Sequence, residues 1–397
     1  MAETSKWREK IANLKDRKAD AQTMGGSDKV TKHHATGKMD ARQRISSLLQ
    51  GGSFTEVGQL AGGEVDAFIA GIGSLNGRPV AVGCEDFTVK GGSIGRAESA
   101  KRYRIAELAL QERIPLIMLL EGAGHRPPLP DDPPSFRTPG DLQAQADASG
   151  RIPIATAVLG PSAGHGALSA PLADFTVMTE QASIFTAGPP LVKASLGEDI
   201  TKEELGGPEI ALHSGVIHNL ARNDESALEQ IRTWLSYLPS SAWQSPIRLA
   251  DAEGERSVNE LLDIIPENPR QAYDMHDVIN AVADSGSVFT IQPMFGQSLI
   301  TCFARLSGRS VAIVANQPQH MAGSITVEAA DKATQFIQVA DSFHLPLIFL
   351  TDNPGVLAGS SSEKAGILRH AGRMFLAQHH ATVPKIQVTL RKAYGFG

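Results

Sequence analysis

The sequence predicts an α/β fold built from two copies of one domain, and three observations support this. From residue 63 onward, short runs rich in β-branched residues alternate with helical stretches, which is typical of βαβ units. A segment rich in Pro, Ser and charged residues (238–269) separates two such regions and predicts a domain boundary. The chain also repeats itself when it is shifted by 231 positions.

The internal repeat is the strongest of these observations. When residues 77–124 are placed over 308–355 without a gap, fourteen of forty-eight positions are identical, whereas chance would give about three. RIPLIMLLEGAG lies over HLPLIFLTDNPG, and the same shift places GPSAGHG (160–166) over RKAYGFG (391–397). We therefore predict two domains, 1–250 and 251–397. A helix follows the loop in the first copy only, so we expect the second domain to be incomplete.

The elements follow in order from the local patterns. Lys6–Asp20 reads as a charged surface helix anchored by Trp7, Ile11 and Leu14 on one face. The polar, Gly-containing residues 21–40 predict a loop, and a second helix is expected over 41–50. FIAGIGSL, RPVAVGCEDF and PLIMLLEG then predict strands, with a helix over about 97–112 between the last two. A final strand is expected over Lys385–Arg391.

Composition excludes several classes of protein. A hydrophobic share of 42% over 397 residues supports a large core, and a net charge of −6 argues against a nucleic-acid scaffold. Cys84 and Cys302 lie far apart, so neither a disulfide framework nor a metal site is predicted. No apolar run approaches the ~18 residues of a membrane span, and MAETSKWREK lacks the apolar centre of a signal peptide. These features predict a cytoplasmic protein without membrane or nucleic-acid partners.

Glycine-rich loops recur at the ends of the predicted strands. A strand, a Gly-rich turn and a helix leave free backbone N–H groups that favour negative charge, and two of them aimed at one oxygen would form an oxyanion hole. Residues 164–166 and 395–397 could supply two such holes, with 91–95 and 322–326 as neighbouring walls. The alternative is that these glycines serve tight turns without a ligand. None of the loops has the spacing of a P-loop or a dinucleotide fingerprint.

Side-chain chemistry is less evident. His125, next to Arg126, could face a cleft, and Glu121 and Asp352 occupy equivalent strand ends as either acid/base groups or hydrogen-bonded turn carboxylates. Ser162 and His165 are too close within one turn to indicate a nucleophile and its base. The pairs His33–His34 and His379–His380 are expected to have surface or core roles. A reaction stabilised by backbone donors fits these residues better than side-chain nucleophilic catalysis.

Several ordered motifs resemble one family over nearly the whole chain. They include HHATGKMDARQRISSLLQGGSFTEVG, DFTVKGGSIG, GPSAGHGALSAPLADFTVM, SLGEDITKEELGG, LSYLPSS, QAYDMHDVI, VAIVANQPQHMAGSI and VPKIQVTLRKAYG. The chain is similar to the carboxyltransferase (β) subunits of biotin-dependent acyl-CoA carboxylases of the propionyl-CoA and acetyl-CoA type. The resemblance implies two tandem crotonase-like (ClpP/crotonase) domains, which agrees with the repeat.

The resemblance also implies an activity and its partners. The family transfers a carboxyl group from carboxybiotin to the α-carbon of an acyl-CoA through enolates. The first domain would bind the acyl-CoA and the second domain of a partner subunit would bind biotin, in an assembly of dimers such as a trimer of dimers. Biotin would arrive on a biotin carboxyl carrier, charged by a biotin carboxylase, and coenzyme A would be part of the substrate.

The family's functional residues map onto the repeated loops. By resemblance, the thioester hole is formed by the backbone N–H groups of Gly164 and His165, and the biotin hole by those of Phe396 and Gly397. No metal is implied. The family usually has glycine where His165 and Phe396 stand, and SGGAR where EGAGHR stands here. Further residues are implied at the acyl-CoA site (Gly91, Gly92, Ser93, Gly124 and Gly166) and at the biotin site (Gly323, Gly355, Tyr394 and Gly395).

Three other functions stay open from the sequence. The chain could be the carboxyltransferase component of a biotin-dependent acyl-CoA decarboxylase, which runs the same chemistry in reverse. It could be a non-catalytic subunit that binds acyl-CoA or a partner chain, an alternative motivated by His165, Phe396 and the end of the chain at Gly397. A biotin-independent hydratase is less favoured, because a second hole would have no use. The identity of the acyl group cannot be predicted from these residues.

Overall fold

A computed structural model describes residues 2–61, 65–126, 140–250, 254 and 256–395. The chain divides into two compact units. The first comprises Met1–Ala211 and Leu220–Arg232, and the second Leu212–Asn219 and Thr233–Gly397. Each unit is organised around its own β-sheet.

The first sheet contains eight strands within the described part of the chain, in the order β1-β2-β3-β4-β5-β6-β8, with β7 also paired to β5. Its strands are β1 (Thr55–Val57), β2 (Phe68–Leu75), β3 (Arg78–Glu85), β4 (Leu116–Gly122), β5 (Ile154–Ala163), β6 (Phe175–Thr179), β7 (Ser183–Phe185) and β8 (Asn219–Ala221). The accompanying helices are α1 (Ala2–Gln22), α2 (Ser27–His34), α3 (Ala41–Leu48), α4 (Arg96–Glu112), α5 (Asp141–Ala148), α6 (Gly164–Ala167), α7 (Pro189–Leu196), α8 (Lys202–Gly206), α9 (Pro208–His213) and α10 (Asp224–Tyr237).

The second sheet has five described strands in the order β13-β12-β11-β10-β9. They are β9 (Phe289–Ile291), β10 (Leu299–Leu306), β11 (Arg309–Asn316), β12 (Leu347–Asn353) and β13 (Lys385–Ala393). The helices are α11 (Leu261–Ile264), α12 (Met275–Val282), α13 (Val327–Ser342), α14 (Ser360–Lys364) and α15 (Ile367–His380). Short 3₁₀ turns over Lys90–Gly92 and Met321–Gly323 precede α4 and α13.

The predicted duplication is present in the strands, at the predicted offset. Strands β2, β3, β4 and β5 begin at residues 68, 78, 116 and 154, and β10, β11, β12 and β13 begin at 299, 309, 347 and 385, each 231 positions later. In both sheets the first two of these strands pair antiparallel and the rest parallel. The left-handed residues Asn76 and Arg113 also recur, as Ser307 and His344. The predicted α/β class with two related domains is confirmed.

The strand sequences explain why these sheets form. Asn76 and Gly77 both have positive φ, which is the backbone that a two-residue hairpin between β2 and β3 requires. All seven residues of β4 are buried, as expected for a parallel strand covered on both faces, whose sequence reads as one apolar run. In the second unit, Met275, Val278 and Ile279 of α12 pack in one cluster with strand residues that include Cys302 and Ile313.

Two predictions near the N-terminus are wrong. Residues 21–40 were expected to be a loop, yet they contain α2, with Asp28 in its first turn and basic residues in its last turn. Those charges complement the helix dipole, a signal that the polar composition obscured. Trp7, Ile11 and Leu14 were expected to anchor α1, but their exposed fractions are 64%, 51% and 43%, so the described chain leaves about half of this face uncovered.

The described residues contain neither a membrane-spanning helix nor a metal-binding cluster of side chains. No described helix is both long enough and apolar enough to cross a membrane. No cluster of three or more His, Cys, Asp or Glu side chains that could hold a metal ion occurs within the described ranges.

His218 makes the stability of the fold depend on pH. Its side chain is 4% exposed, and burial lowers the pKa of its imidazole to about 4, although a hydrogen bond with Gln335 opposes the shift. In the unfolded chain His218 therefore becomes protonated below about pH 6.5, whereas in the folded chain it becomes protonated only below about pH 4. The free energy of unfolding should keep its full contribution from neutral His218 above pH 6.5 and fall by about 3 kcal/mol as the pH drops to 4.

The His218→Gln variant tests this pH dependence by urea unfolding at pH 7 and at pH 4.5. Glutamine can keep a hydrogen bond with Gln335 and does not titrate, so we expect the variant to lose clearly less stability than the natural chain over this interval. The control is His276→Gln, because the side chain of His276 is 41% exposed. Parallel losses in the natural chain and in His218→Gln would contradict the prediction.

Candidate active site

The Gly-rich segments of the first unit meet where β4 and β5 end. The amide of Ile94 donates to the carbonyl of Gly124 (2.8 Å), and the amide of Arg126 donates to the carbonyl of Ile94 (2.8 Å). The amide of Ala123 donates to Gly91 (3.0 Å). Segments 91–95 and 122–126 therefore run side by side as a short parallel bridge.

Close backbone approach explains the glycines at this junction. A Cβ at Gly92 would lie 2.2 Å from the carbonyl oxygen of Glu121, and one at Gly124 would lie 2.8 Å from that of Ala163. A Cβ at Gly166 would lie 2.8 Å from a carboxylate oxygen of Glu85. Glycine is needed at Gly92 and Gly124 because their segments pack backbone to backbone, and at Gly166 because the side chain of Glu85 lies against its backbone. The structure thus brings the loops that carry the predicted residues Gly91, Gly92, Ser93, Gly124 and Gly166 into one cluster.

The loop after β5 begins helix α6 with Gly164. Its φ is +56° and an added Cβ would approach only the carbonyl oxygen of Thr186, at 3.5 Å, so the backbone conformation rather than crowding favours glycine. Ala163 is the N-cap residue and has no polar side chain to accept from the first turn. The amides of Gly164 and His165 occupy that turn, where a helix offers them no internal carbonyl partner.

Ser93 is used inside its own loop. Its hydroxyl donates to the carbonyl of Lys90 (2.7 Å), and the Nε of Arg126 donates to its Oγ (3.2 Å). Arg126 also donates to the carbonyl of Ser93 (3.0 Å) and to Glu98 (3.1 Å). These bonds fix the path of the 91–95 segment over the start of α4. Ser324 repeats the hydroxyl bond in the second unit by donating to the carbonyl of Met321 (2.7 Å).

A chain of buried charges ends at His165. Glu85 accepts from Arg102 (2.9 Å), Arg102 donates to Asp141 (2.9 Å), and Asp141 bonds Nε2 of His165 (2.7 Å). The ring of His125 lies edge-on to that of His165, with the centroids 4.6 Å apart. His125, which the sequence singled out as possibly facing a cleft, therefore neighbours the loop after β5.

Sequence reasoning missed Asp141, Arg102 and Glu85. The interpretation of His165 considered only Ser162 as its neighbour, whereas its partner lies 24 positions away on α5. One signal was available in the repeat. The second copy has uncharged residues at the three equivalent positions, namely Gly372, Ala333 and Asn316. Because these charges occur in only one of the two copies, they mark a feature that is specific to the first unit.

Glu121 is held as a structural carboxylate. It bonds Lys38 (2.8 Å) and Arg44 (2.6 Å), and its side chain is buried. Burial alone would raise the pKa of Glu121, but the charges of Arg44 and Lys38 lower it below its usual value. Of the two roles that the sequence left open, these contacts match the hydrogen-bonded carboxylate rather than an acid/base group.

The second unit repeats the loop geometry with different side chains. A Cβ at Gly323 would lie 2.6 Å from the carbonyl oxygen of Asp352, and one at Gly355 would lie 2.7 Å from that of Tyr394. The amide of Ile325 donates to Gly355 (3.1 Å), as the amide of Ile94 donates to Gly124 in the first unit. Gly395 has φ +66°, like its counterpart Gly164. Phe396 and Gly397, the predicted biotin hole, lie outside the described residues.

Mostly apolar and uncharged polar groups line the second unit's cleft, which has a volume of about 400 Å³; Lys385 and His379 are the exceptions. The amides of Asn353 and Asn316 bond each other (3.1 Å), and the amide of Asn316 also donates to the carbonyl of Gly323 (3.0 Å). Phe349 and Met374 contribute apolar walls. The nearby carboxylate of Asp352 accepts hydrogen bonds from the hydroxyl of Tyr273 (2.8 Å) and from Nε of Arg391 (2.7 Å).

Comparisons with known proteins agree on one family. The carboxyl transferase domain family matches residues 32–397. The propionyl-CoA carboxylase carboxyltransferase subunit of Haloferax mediterranei is 38% identical, over 98% of this chain and 78% of that protein. Methylmalonyl-CoA decarboxylase subunit alpha of Veillonella parvula is 37% identical, over 98% and 79%. The crystal structure of transcarboxylase 12S, a hexamer with methylmalonyl-CoA bound, has a TM-score of 0.89 and 36% identity, over 98% of this chain and 78% of that one.

Proposed function

Because the chain belongs to the carboxyl transferase domain family, we propose that it is an enzyme that moves a carboxyl group between biotin and the α-carbon of an acyl-CoA. The family match and relatives at 34–38% identity over at least 97% of the chain support this activity. The observation that carries it structurally is the loop after β5. There, Gly164 and His165 present the first amides of α6 beside the junction of three Gly-rich segments.

The first unit's part in the reaction is to hold a developing negative charge. When the α-carbon of a thioester loses its proton, charge moves to the carbonyl oxygen. The backbone amides of Gly164 and His165 are proposed to donate to that oxygen. One preorganised donor of this type is worth about 3–4 kcal/mol of barrier in other enzymes. Gly91, Gly92, Ser93, Gly124 and Gly166 are proposed to shape the acyl-CoA site around it.

The second unit's residues fit biotin. When bound, biotin supplies the carboxyl group or receives it. Apart from Lys385 and His379, the cleft of the second unit is lined by apolar and uncharged polar side chains, which suits a neutral bicyclic ring. The loops of this unit also repeat the backbone turn of the first unit. Gly323, Gly355, Tyr394 and Gly395 are proposed to hold the ring, with Phe396 and Gly397 as donors to its oxygen.

The partners follow from the same proposal. Two relatives from Mycobacterium tuberculosis are named as subunits of biotin-dependent carboxylases, so we expect biotin to arrive on a separate biotin carboxyl carrier that a biotin carboxylase serves. The hexamer of transcarboxylase 12S favours a homo-oligomer, which we propose to be a trimer of dimers. A cytoplasmic location is part of this proposal.

Decarboxylation is a second candidate for the physiological direction. The relatives from Veillonella parvula and Propionigenium modestum are named as methylmalonyl-CoA decarboxylase alpha subunits, at 37% and 34% identity. The two directions exchange substrates and products but use the same backbone donors, so the proposed roles of the residues do not depend on this choice.

Reverse carboxyl transfer tests the proposed function. The chain is incubated with malonyl-CoA or methylmalonyl-CoA and free biotin, and loss of the acyl carboxylate is followed by chromatography of the CoA esters. We expect decarboxylated CoA ester to form in proportion to biotin. A chain that binds the CoA ester but gives the same product with and without biotin would overturn the proposal.

A further inference from the structure

The charged chain behind His165 runs from the core towards the surface. Arg102, Glu85 and Asp141 have side chains that are 0%, 1% and 2% exposed, whereas the side chain of His165 is 27% exposed. Ser169 accepts a further bond from Arg102 (2.7 Å), so the guanidinium is fixed on three sides. Three buried groups are thus arranged behind one imidazole that solvent or a ligand can reach.

This arrangement determines which nitrogen of His165 can transfer a proton. Burial alone would raise the pKa of Asp141, but the hydrogen bond from His165 and the charge of Arg102 lower it, so Asp141 stays a carboxylate. A carboxylate can only accept a hydrogen bond, so Nε2 of His165, 2.7 Å from Oδ1 of Asp141, carries the hydrogen. Nδ1 is left as the nitrogen that carries the lone pair, in the way that a buried Asp fixes the tautomer of a catalytic histidine.

Few charged groups face this imidazole. Asp141 approaches from α5, His125 approaches from the segment after β4, and Arg102 of α4 acts through Asp141. Burial lowers the pKa of His125, and the neighbouring His165 lowers it further, so the ring of His125 carries no charge near pH 7. The carboxylate of Asp141 is the one negative charge bonded to the ring within the described residues.

Covalent geometry places this base next to the proposed thioester hole. The amide that would hold the thioester oxygen belongs to the same residue as the imidazole. The α-carbon of an acyl thioester lies only two bonds from that oxygen, so one residue can serve both atoms. Enolisation needs a base at the carbon and a donor at the oxygen, and His165 offers both.

We propose that Nδ1 of His165 removes and returns a proton at the α-carbon of the bound acyl-CoA, which gives the enzyme a biotin-independent proton-exchange activity. The inference rests on the proposed acyl-CoA site. The C–H bond breaks and the proton passes to Nδ1. The electron pair of that bond forms a carbon–carbon double bond, and the carbonyl π pair moves to the thioester oxygen. After exchange with solvent, the imidazolium returns a proton to the carbon. Nothing is oxidised or reduced. Asp141 is a positioning residue in this step.

The test follows deuterium incorporation into propionyl-CoA in D₂O without biotin, by mass spectrometry. We expect the natural chain to label the α-carbon, and His165→Gln to label it at least about 100-fold more slowly, because general acid–base catalysis typically contributes 10²–10⁴-fold. Glutamine keeps the backbone amide and can still donate to Asp141. The matched control is His370→Gln, which removes another His–Asp pair (His370 to Asp331, 2.6 Å) in the other unit and should leave the rate unchanged.

A pH profile separates proton transfer from a purely structural role. Asp141→Asn removes the negative charge beside the ring, so we expect its exchange rate to fall and the midpoint of its rate–pH curve to move to lower pH. Circular dichroism verifies that each variant folds, and His165→Gly replaces His165→Gln if that variant does not. Exchange in His165→Gln within twofold of the natural chain, or an unmoved midpoint in Asp141→Asn, would overturn the inference.

Measuring biotin-dependent carboxyl transfer on the same natural sample distinguishes the two proposals. Transfer without α-proton exchange overturns the role of His165 alone. Exchange that His165→Gln abolishes, in a chain without transfer, supports the role of His165 and overturns the carboxyltransferase proposal alone. If neither reaction occurs, both proposals are wrong.

Discussion

Replacing Arg44 by methionine is expected to lower the free energy of unfolding by about 3–5 kcal/mol. Arg44 is 1% exposed and bonds Glu121 (2.6 Å) and Asp224 (2.8 Å). Methionine has a similar length but no charge, so the variant leaves two carboxylates in the core without their shared partner. Lys38 still bonds Glu121, which keeps the loss within the range for one broken buried pair. Urea unfolding at neutral pH measures the change.

The control for Arg44→Met is Arg104→Met. Arg104 pairs with Glu107 on the surface of α4, one turn away, and solvent screens exposed pairs of this kind, so its urea midpoint should hardly move. A double variant, Arg44→Met with Glu121→Gln, removes one orphaned charge together with the arginine. We expect it to be less destabilised than the sum of the two single variants. Additive losses, or a loss for Arg44→Met no larger than that for Arg104→Met, would contradict the assignment of Arg44 as the centre of a buried charge cluster.

The repeat made most of the fold predictable. A gap-free match over residues 77–124 and 308–355 constrains strand order, turn positions and register together, and the structure reproduces its offset in four pairs of strands. The path of α1 was less predictable, because a pattern of apolar residues marks one face of a helix but does not show what covers that face. The apolar face of α1 stays exposed in the described chain.

The sequence indicated the Gly-rich backbone loops of the candidate site but not the contacts between its side chains. The loop at 164–166 could be singled out because its glycines are visible in the sequence, whereas Gly124 was implied only by the family resemblance. The bond between His165 and Asp141 leaves no mark in the sequence, because it joins a strand-end loop to a separate helix through tertiary packing. Motif reasoning treated His165 as a glycine that had been replaced, and so considered its backbone amide before its side chain.

Replacing Gly124 by alanine is expected to reduce the rate of carboxyl transfer about 100-fold, since displacing reacting groups by about 1 Å can cost that much. Gly124 has φ +80°, and an added Cβ would lie 2.8 Å from the carbonyl oxygen and 3.3 Å from the carbonyl carbon of Ala163. Ala163 directly precedes Gly164 and His165, the proposed donors. The clash can be relieved only by moving one of two backbones, and either movement shifts the thioester hole relative to its wall.

Gly77→Ala separates this displacement from ordinary backbone strain. Gly77 has φ +77°, nearly the same as Gly124, but no atom lies within 4 Å of its added Cβ. Both variants therefore bear the left-handed penalty of about 1–2 kcal/mol, and only Gly124→Ala moves the loop after β5. Thermal unfolding should show that both variants are destabilised, whereas the biotin-dependent loss of carboxylate from methylmalonyl-CoA should collapse only in Gly124→Ala. Equal rates in two folded variants would mean that the contact between Gly124 and Ala163 does not position the donors, and the oxyanion hole would then have to be sought elsewhere in the first unit.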